Sequence, residues 1–127
     1  MAYSFGKPSI QVTTTKKALD MVKERYKEDE DYTYACNQLK SIRQDLTVQN
    51  IRNRFSAHVY EVHGRIALEQ GDLNEYNACQ CRLQEMRKEG ISISDDEFMC
   101  YRLLYSLHVD SKVEMQSALF EYEATRL

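Results

Sequence analysis

The sequence predicts an all-α fold, and two counts carry most of that prediction: one proline and four glycines in 127 residues. An all-β domain of this length needs about eight tight turns rich in Gly, Pro, Asn and Asp, which this chain does not supply. The third observation is apolar spacing, which recurs at three and four residues rather than at two. The expected architecture is a right-handed stack of antiparallel helix hairpins, an α-solenoid of about six helices of the TPR or HEAT kind. At 15.0 kDa the chain is one domain's worth, enough to bury one core.

Residues 1–13 hold Pro8 and lack helical periodicity, so they read as a flexible arm or cloning remnant, with the helical-repeat domain occupying residues 14–127. A first helix starts near Thr14 with Ala18, Met21, Val22 and Arg25 on one side, and the acidic run Glu28 to Asp31 closes it. Tyr32, Ala35, Cys36, Leu39, Ile42 and Leu46 mark a second amphipathic helix that ends near Asp45. Thr47 is the expected N-cap of the longest helix, residues 48–69, with the stripe Val48, Ile51, Phe55, Val59, Val62 and Ile66. Its second face, Ala57, Tyr60, Gly64 and Ala67, is mostly small, which predicts a helix sandwiched between two others.

Gly71 followed by Asp72 reads as a C-cap and an N-cap in succession, the mark of a tight helix hairpin. The returning helix, about 73–89, buries Leu73, Tyr76, Cys79, Leu83 and Met86 and stops at Gly90. Ser94 with Glu97 predicts a capping box for a helix that shows Phe98, Tyr101, Leu104 and Tyr105 on one side and Cys100, Leu103 and Leu107 on another. A last helix begins near Ser111, and the turns at Gly71 and Asp110 are offset by 110 − 71 = 39 residues, inside the range of two-helix repeats. In that helix Met115, Ala118, Leu119 and Tyr122 project about 180° away from Val113, Phe120, Ala124 and Leu127. The first set is expected to pack on the preceding hairpin, leaving the second as a partner or oligomer face.

Seventeen basic against twenty acidic side chains give a formal charge of −3, so the chain is not a polycation drawn to phosphate. Apolar runs are too short for a membrane span and MAYSFGKPSI lacks a signal-peptide core, which implies an intracellular, soluble protein. Cys36, Cys79, Cys81 and Cys100 form no C-x-x-C, and His58, His63 and His108 are scattered, so no zinc template fits and no metal or other cofactor is expected. On one helix Cys79 and Cys81 point about 160° apart. All four cysteines read as buried free thiols in a reducing compartment. No phosphate loop, H-E-x-x-H, G-x-S-x-G or paired-carboxylate pattern is present, and His58 reads as a packing residue, so an enzyme is not expected.

Residues 38–55 hold Lys40, Arg43, Arg52 and Arg54 against the single acid Asp45, a local 4 − 1 = +3. Two readings divide this segment. Arg43 falls on the apolar stripe of its helix and is expected to be buried against a carboxylate or helix-end carbonyls, forming a helix junction with Asp45, Thr47 and Gln49. Lys40, Arg52 and Arg54 lie off the stripe and are expected to form a solvent-facing patch for RNA, DNA or an acidic partner.

The string YACNQLKSIRQDLTVQNIR, followed by VYEVHGRIALEQGDLNEYNACQ, resembles the Sac/GANP family of nuclear proteins, and within it the branch of leukocyte receptor cluster member eight with its fungal and plant relatives. The resemblance covers about residues 31–127, with SIRQDLTVQ and the turn EQGD as its most specific parts. It implies helical repeats that lead into a winged helix, together a PCI domain, acting as a non-enzymatic scaffold in nuclear messenger-RNA processing or export. Partners so implied are a second PCI subunit and a small acidic subunit. The family pattern continues past the position of Leu127 into the winged helix, so this chain is expected to be truncated, with its unpaired last face filled by a second copy in a homodimer or by a swapped helix. The alternatives are a subunit of another PCI assembly, the proteasome lid or an initiation factor, and a direct RNA-binding module using residues 40–54.

Overall fold

The computed structural model describes the backbone of residues 8–109 and 112–126 and the side chains of residues 14–109 and 114–124. Helices account for the regular structure, with no strand among the described residues: α1 (Pro8–Asp29), α2 (Tyr32–Val48), α3 (Arg54–Glu69), α4 (Leu73–Lys88), α5 (Asp95–His108) and α6 (Lys112–Arg126). The all-α expectation holds. The chain divides into two compact units, Met1–Ser92 and Ile93–Leu127, the first containing α1 to α4 and the second α5 and α6.

In the first unit each helix packs on the next in sequence. Leu19, Val22 and Tyr26 of α1, Ala35, Leu39, Ile42 and Leu46 of α2, and Val59, Val62 and Ile66 of α3 make one continuous core. In α2 and α3 these follow the predicted stripes, whereas in α1 the buried face is Leu19, Val22 and Tyr26, with Met21 and Arg25 exposed against expectation; removing the fully buried Leu39 from water contributes about 1.5–3 kcal/mol by itself. The small face of α3 is also closed: Ala57, Tyr60, Gly64 and Ala67 are buried, and α4 supplies Tyr76, Cys79, Leu83 and Met86 on its own inner face. Helix α3 is therefore covered on two sides by α2 and α4, as its composition predicts.

The boundary between the second and third helices falls elsewhere than expected. Thr47 is not an N-cap. Helix α2 continues to Val48, and the Thr47 hydroxyl donates to the Arg43 carbonyl at 2.9 Å within its last turn. Val48, expected at the start of the next stripe, is 61% exposed. What ends α2 is Asn50, whose φ of 56° is left-handed; its N–H bonds the Thr47 carbonyl at 3.0 Å and the Ile51 N–H bonds the Leu46 carbonyl at 2.9 Å. That pair of bonds is the Schellman arrangement, and Ile51 then packs on the core beside it. Asn53, not Thr47, caps α3: it accepts from the Ser56 N–H, while Ser56 reciprocates to the Asn53 N–H at 2.8 Å.

The same device recurs after α3 and α4. Gly71 (φ 75°) and Gly90 (φ 90°) are left-handed, with Asp72 N–H to Ala67 carbonyl at 2.8 Å and Ile91 N–H to Met86 carbonyl at 3.0 Å. Asp72 then accepts from the Glu75 N–H and starts α4, as predicted. At the chain's start α1 begins at Pro8, so helix extends into residues expected to be an arm; proline is tolerated in a first helical turn, where its missing N–H has no partner to lose.

In the second unit the faces of α5 are rotated from expectation. Phe98, Met99, Arg102 and Ser106 are buried, whereas Leu104 and Leu107 are exposed. In this orientation the Arg102 guanidinium bonds Glu121 and, at 3.1 Å, the Ser117 hydroxyl of α6. Ser94 occupies the N-cap of α5 without a side-chain capping bond. Asp110, the second turn in the 39-residue comparison, lies outside the described residues.

Asn50 yields a direct test. Alanine there is forced into the left-handed region, so Asn50→Ala lowers stability by about 1 kcal/mol while Asn50→Gly is neutral or stabilising, as read by urea denaturation. Equal losses for the two variants would show that the backbone of Asn50 does not set the end of α2.

Candidate functional site

Polar side chains from three helices meet between α2, α3 and α4. The side chain of Arg43, on α2, is 17% exposed, and its Nη1 donates to Glu75 Oε1 of α4 at 2.5 Å and to His63 Nδ1 of α3 at 3.1 Å, with Cys79 Sγ of α4 at 3.8 Å. The guanidinium carbon stands 4.9 Å from the centre of the Tyr60 ring. His63 is fully buried, and its Nε2 lies 3.4 Å from Cys36 Sγ of α2. A guanidinium can only donate. His63 Nδ1 is therefore the bare nitrogen and Nε2–H donates to the sulfur, which assigns the tautomer.

The electrostatics follow from that arrangement. Burial, with the neighbouring Arg43 charge, holds His63 down to about 4, so it is neutral at physiological pH. Burial likewise pushes the Cys79 thiol up to about 12, against the pull of Arg43. Burial works to raise the Glu75 carboxyl, but the Arg43 hydrogen bond and the positive charges of Arg43 and Lys40 together hold it below its ordinary value. Glu75 also stands in the first turn of α4, where the helix dipole favours an anion. Nearby, Tyr32 of α2 donates to Asp72 at 2.7 Å; this bond first, and the Glu75 N–H second, lower the Asp72 carboxyl.

The structure separates the residues that sequence reasoning grouped. Arg43 is buried against a carboxylate, but its partners are on α3 and α4 rather than at the α2–α3 junction. Asp45 is half-buried and contributes its carbonyl to the Gln49 N–H, Thr47 stays within α2, and Gln49 is the C-cap of α2. Lys40, Arg52 and Arg54 each face a carboxylate: Lys40 with Glu75 at 3.4 Å, Arg52 with Glu89 at 2.8 Å, and Arg54 with the fully buried Glu61 at 2.9 Å. Arg54 also reaches the Ser92 carbonyl at 3.4 Å. All three are exposed, and each also pairs with a carboxylate of the fold.

On α6, Phe120 is 73% exposed and Ala124 is exposed, while the side chains of Val113 and Leu127 lie outside the described residues. Ala118 is buried as expected, but Leu119, assigned to the same inner face, is exposed. Cys36 and Cys79 are buried thiols; Cys81 and Cys100 are exposed, against the expectation of four buried cysteines. The donor atoms of Cys36, His63 and Glu75 lie within 4.8 Å of one another. Linear spacing could not reveal this cluster, because its members come from three helices. The only signal was that Cys36 and Arg43 share the face of α2 that carries its apolar stripe.

Fold and site together define an all-α helical-repeat protein with a buried polar brace. No protein-family model matches the chain. It is 50% identical to a THP3 homologue of Schizosaccharomyces pombe over 104 residues, 82% of this chain and 26% of that protein. It is 46% identical to a leukocyte receptor cluster member 8 homologue of Xenopus laevis over 108 residues, 85% of this chain and 14% of that one. SAC3 family protein A of Arabidopsis thaliana is 49% identical over 105 residues, 82% of this chain and 10% of its own length. Over these residues the chain is related to the SAC3/THP3 family, as its sequence resemblance implies. It spans between 10% and 26% of the length of these three curated relatives.

Two predictions follow from the electrostatics. A histidine held neutral in the fold contributes stability that is complete above its ordinary value of 6.5 and is lost as pH falls from 6.5 toward about 4, a window worth about 3 kcal/mol. Urea denaturation at pH 5 gives an unfolding free energy about 2 kcal/mol below that at pH 7 from this group. His63→Gln, which keeps an acceptor for Arg43, removes that part of the slope and leaves the smaller one from His58, also lowered by burial and by Lys23. Arg54→Glu sets a second carboxylate against buried Glu61 and lowers stability by about 2 kcal/mol, whereas Arg52→Glu, opposite exposed Glu89, changes it by less than about 1 kcal/mol. Equal effects of the two charge reversals would refute the distinction.

Proposed function

We propose that this chain is the helical-repeat part of a non-enzymatic scaffold in a nuclear complex for transcription-coupled messenger-RNA processing or export. The observation that carries the reading is the identity of 46–50% to proteins named for THP3, SAC3 and leukocyte receptor cluster member 8, spread over 82–85% of the chain. Those names support this reading over membership of the proteasome lid or an initiation factor. The proposal includes a PCI-type continuation beyond these repeats and protein partners of the second-PCI-subunit and small-acidic-subunit kinds. The internal pairing of Arg43, Glu75 and His63 also supports a structural role for these groups. No described helix is long and apolar enough to cross a membrane.

Affinity purification of the tagged full-length protein from nuclear and cytoplasmic extracts is the test. The expected outcome is recovery of messenger-RNA-processing proteins from the nuclear fraction, and recovery of proteasome-lid or initiation-factor subunits alone would overturn the reading. In parallel, single-stranded RNA titrated at two salt concentrations is expected to show no affinity that depends on Arg52, whose partner is Glu89. Loss of RNA binding in Arg52→Glu with stability retained would favour direct RNA recognition instead.

A further inference from the structure

A cleft of about 480 Å³ opens on the first unit between α1 and α3, both of which pack on α2. At one end the Tyr26 hydroxyl donates to Glu69 at 3.5 Å and accepts from the Gln70 amide at 2.6 Å. Toward the other, Lys16 of α1 stands over the ring of Phe55, at the start of α3. The two helices therefore run in the same direction. Val62 and Ile66, each 7% exposed, make an apolar floor. Lys23, Lys27 and Arg65 line the walls, and Glu30 and Glu69 stand where the two helices end. An apolar floor with a few converging charges, at this volume, is the composition of a ligand site. Lys23 is half-buried and forms no ion pair with another described residue. His58, on the same wall, senses the local field: burial first and the Lys23 charge second hold it below its ordinary value, with Arg54 and Arg65 adding to the effect against Glu61.

We propose that this cleft docks an acidic amphipathic helix of a protein partner, its apolar side chains on Val62 and Ile66 and its carboxylates facing Lys23, Lys27 and Arg65. The inference rests on the scaffold reading and names the chemistry of one partner that the scaffold carries. The register supports a helix. Val62 and Ile66 are four residues apart on α3, as Lys23 and Lys27 are on α1, so floor and wall both repeat about every 6 Å, the spacing of i and i+4 side chains on a helix laid along them. The charge pattern favours a peptide over nucleic acid. A phosphate chain carries charge at every step and meets Glu30 and Glu69, whereas a peptide confines its acids to the basic stretch. Tyr26 is buried with its hydroxyl engaged, so it offers little ring face on which a base could stack.

A display library of random peptides about 15 residues long, about four helical turns, panned on the purified 127-residue chain, tests this. The expected result is enrichment of peptides with Leu, Ile or Phe four residues apart and Asp or Glu beside them. By fluorescence anisotropy, the enriched peptide binds about tenfold more weakly to Lys23→Glu with Lys27→Glu, binds Arg52→Glu as it binds wild type, and weakens as salt rises. Amide NMR shift changes are expected at residues 23–30 and 58–69. Should circular dichroism show the double charge reversal unfolded, Lys23→Gln with Lys27→Gln takes its place and is expected to weaken binding in the same direction. No enrichment, enrichment of basic or uncharged peptides, unchanged affinity in the folded double variant, or shift changes confined to other helices would each overturn the assignment. Single-stranded RNA that displaces the labelled peptide at lower concentration than unlabelled peptide would give the cleft to nucleic acid instead. The assay uses only the purified chain, so its outcome stands apart from which proteins the full-length protein recovers from nuclear extract.

Discussion

The first unit depends on one buried cation. Arg43 leaves the apolar stripe of α2 and ends on Glu75 and His63, so that three helices share a single polar contact. Desolvating a guanidinium costs several kcal/mol, and only a charged acceptor with further hydrogen bonds offsets that cost. Glu75 supplies the charge, His63 the second acceptor and the Tyr60 ring a favourable face. The value of such a brace lies less in net stability than in specificity. An apolar side chain at position 43 could slide along its neighbours, whereas the guanidinium is directional: Nη1 alone makes the contacts to Glu75 and His63, and the buried Nε has no hydrogen-bond partner among the described residues.

Around that contact the polar links to α4 collect at its two ends. Tyr32 reaches Asp72, while Lys40 and Arg43 reach Glu75, so every one of these bonds from α2 falls on the N-cap or first turn of α4. At the other end Arg52, from the loop before α3, pairs with Glu89 at the C-cap. Helix α4 is thus tied at both ends by the segment on either side of the α2–α3 turn. The turn between those segments is built on a left-handed Asn50 followed by a capping box at Asn53.

The sequence made the fold class and the core readable because both rest on periodicity. Leu39, Ile42, Leu46, Val59, Val62 and Ile66 could be named as core residues before any coordinates, and so could the Gly71–Asp72 turn. The α2–α3 boundary was misread for a physical reason. Thr47 is a good N-cap by type, but on a helix a threonine hydroxyl can equally bond the carbonyl four residues back, and the choice is made downstream by Asn50 and Asn53. Half of the brace was visible, since a charged residue on an apolar stripe must have a partner. Its identity was not, because Glu75 and His63 lie 32 and 20 positions away and only the packing of α3 between α2 and α4 brings them in reach.

The second unit repeats the principle with other residues. Arg102 is the buried cation of α5, bonded to Glu121 and Ser117 in an orientation that leaves Leu104 and Leu107 facing outward. Hydrophobic periodicity alone would orient α5 by its leucines. In each unit an arginine finds its carboxylate on another helix, 32 residues on for Arg43 and 19 for Arg102, so the partner becomes legible only once the helices are packed.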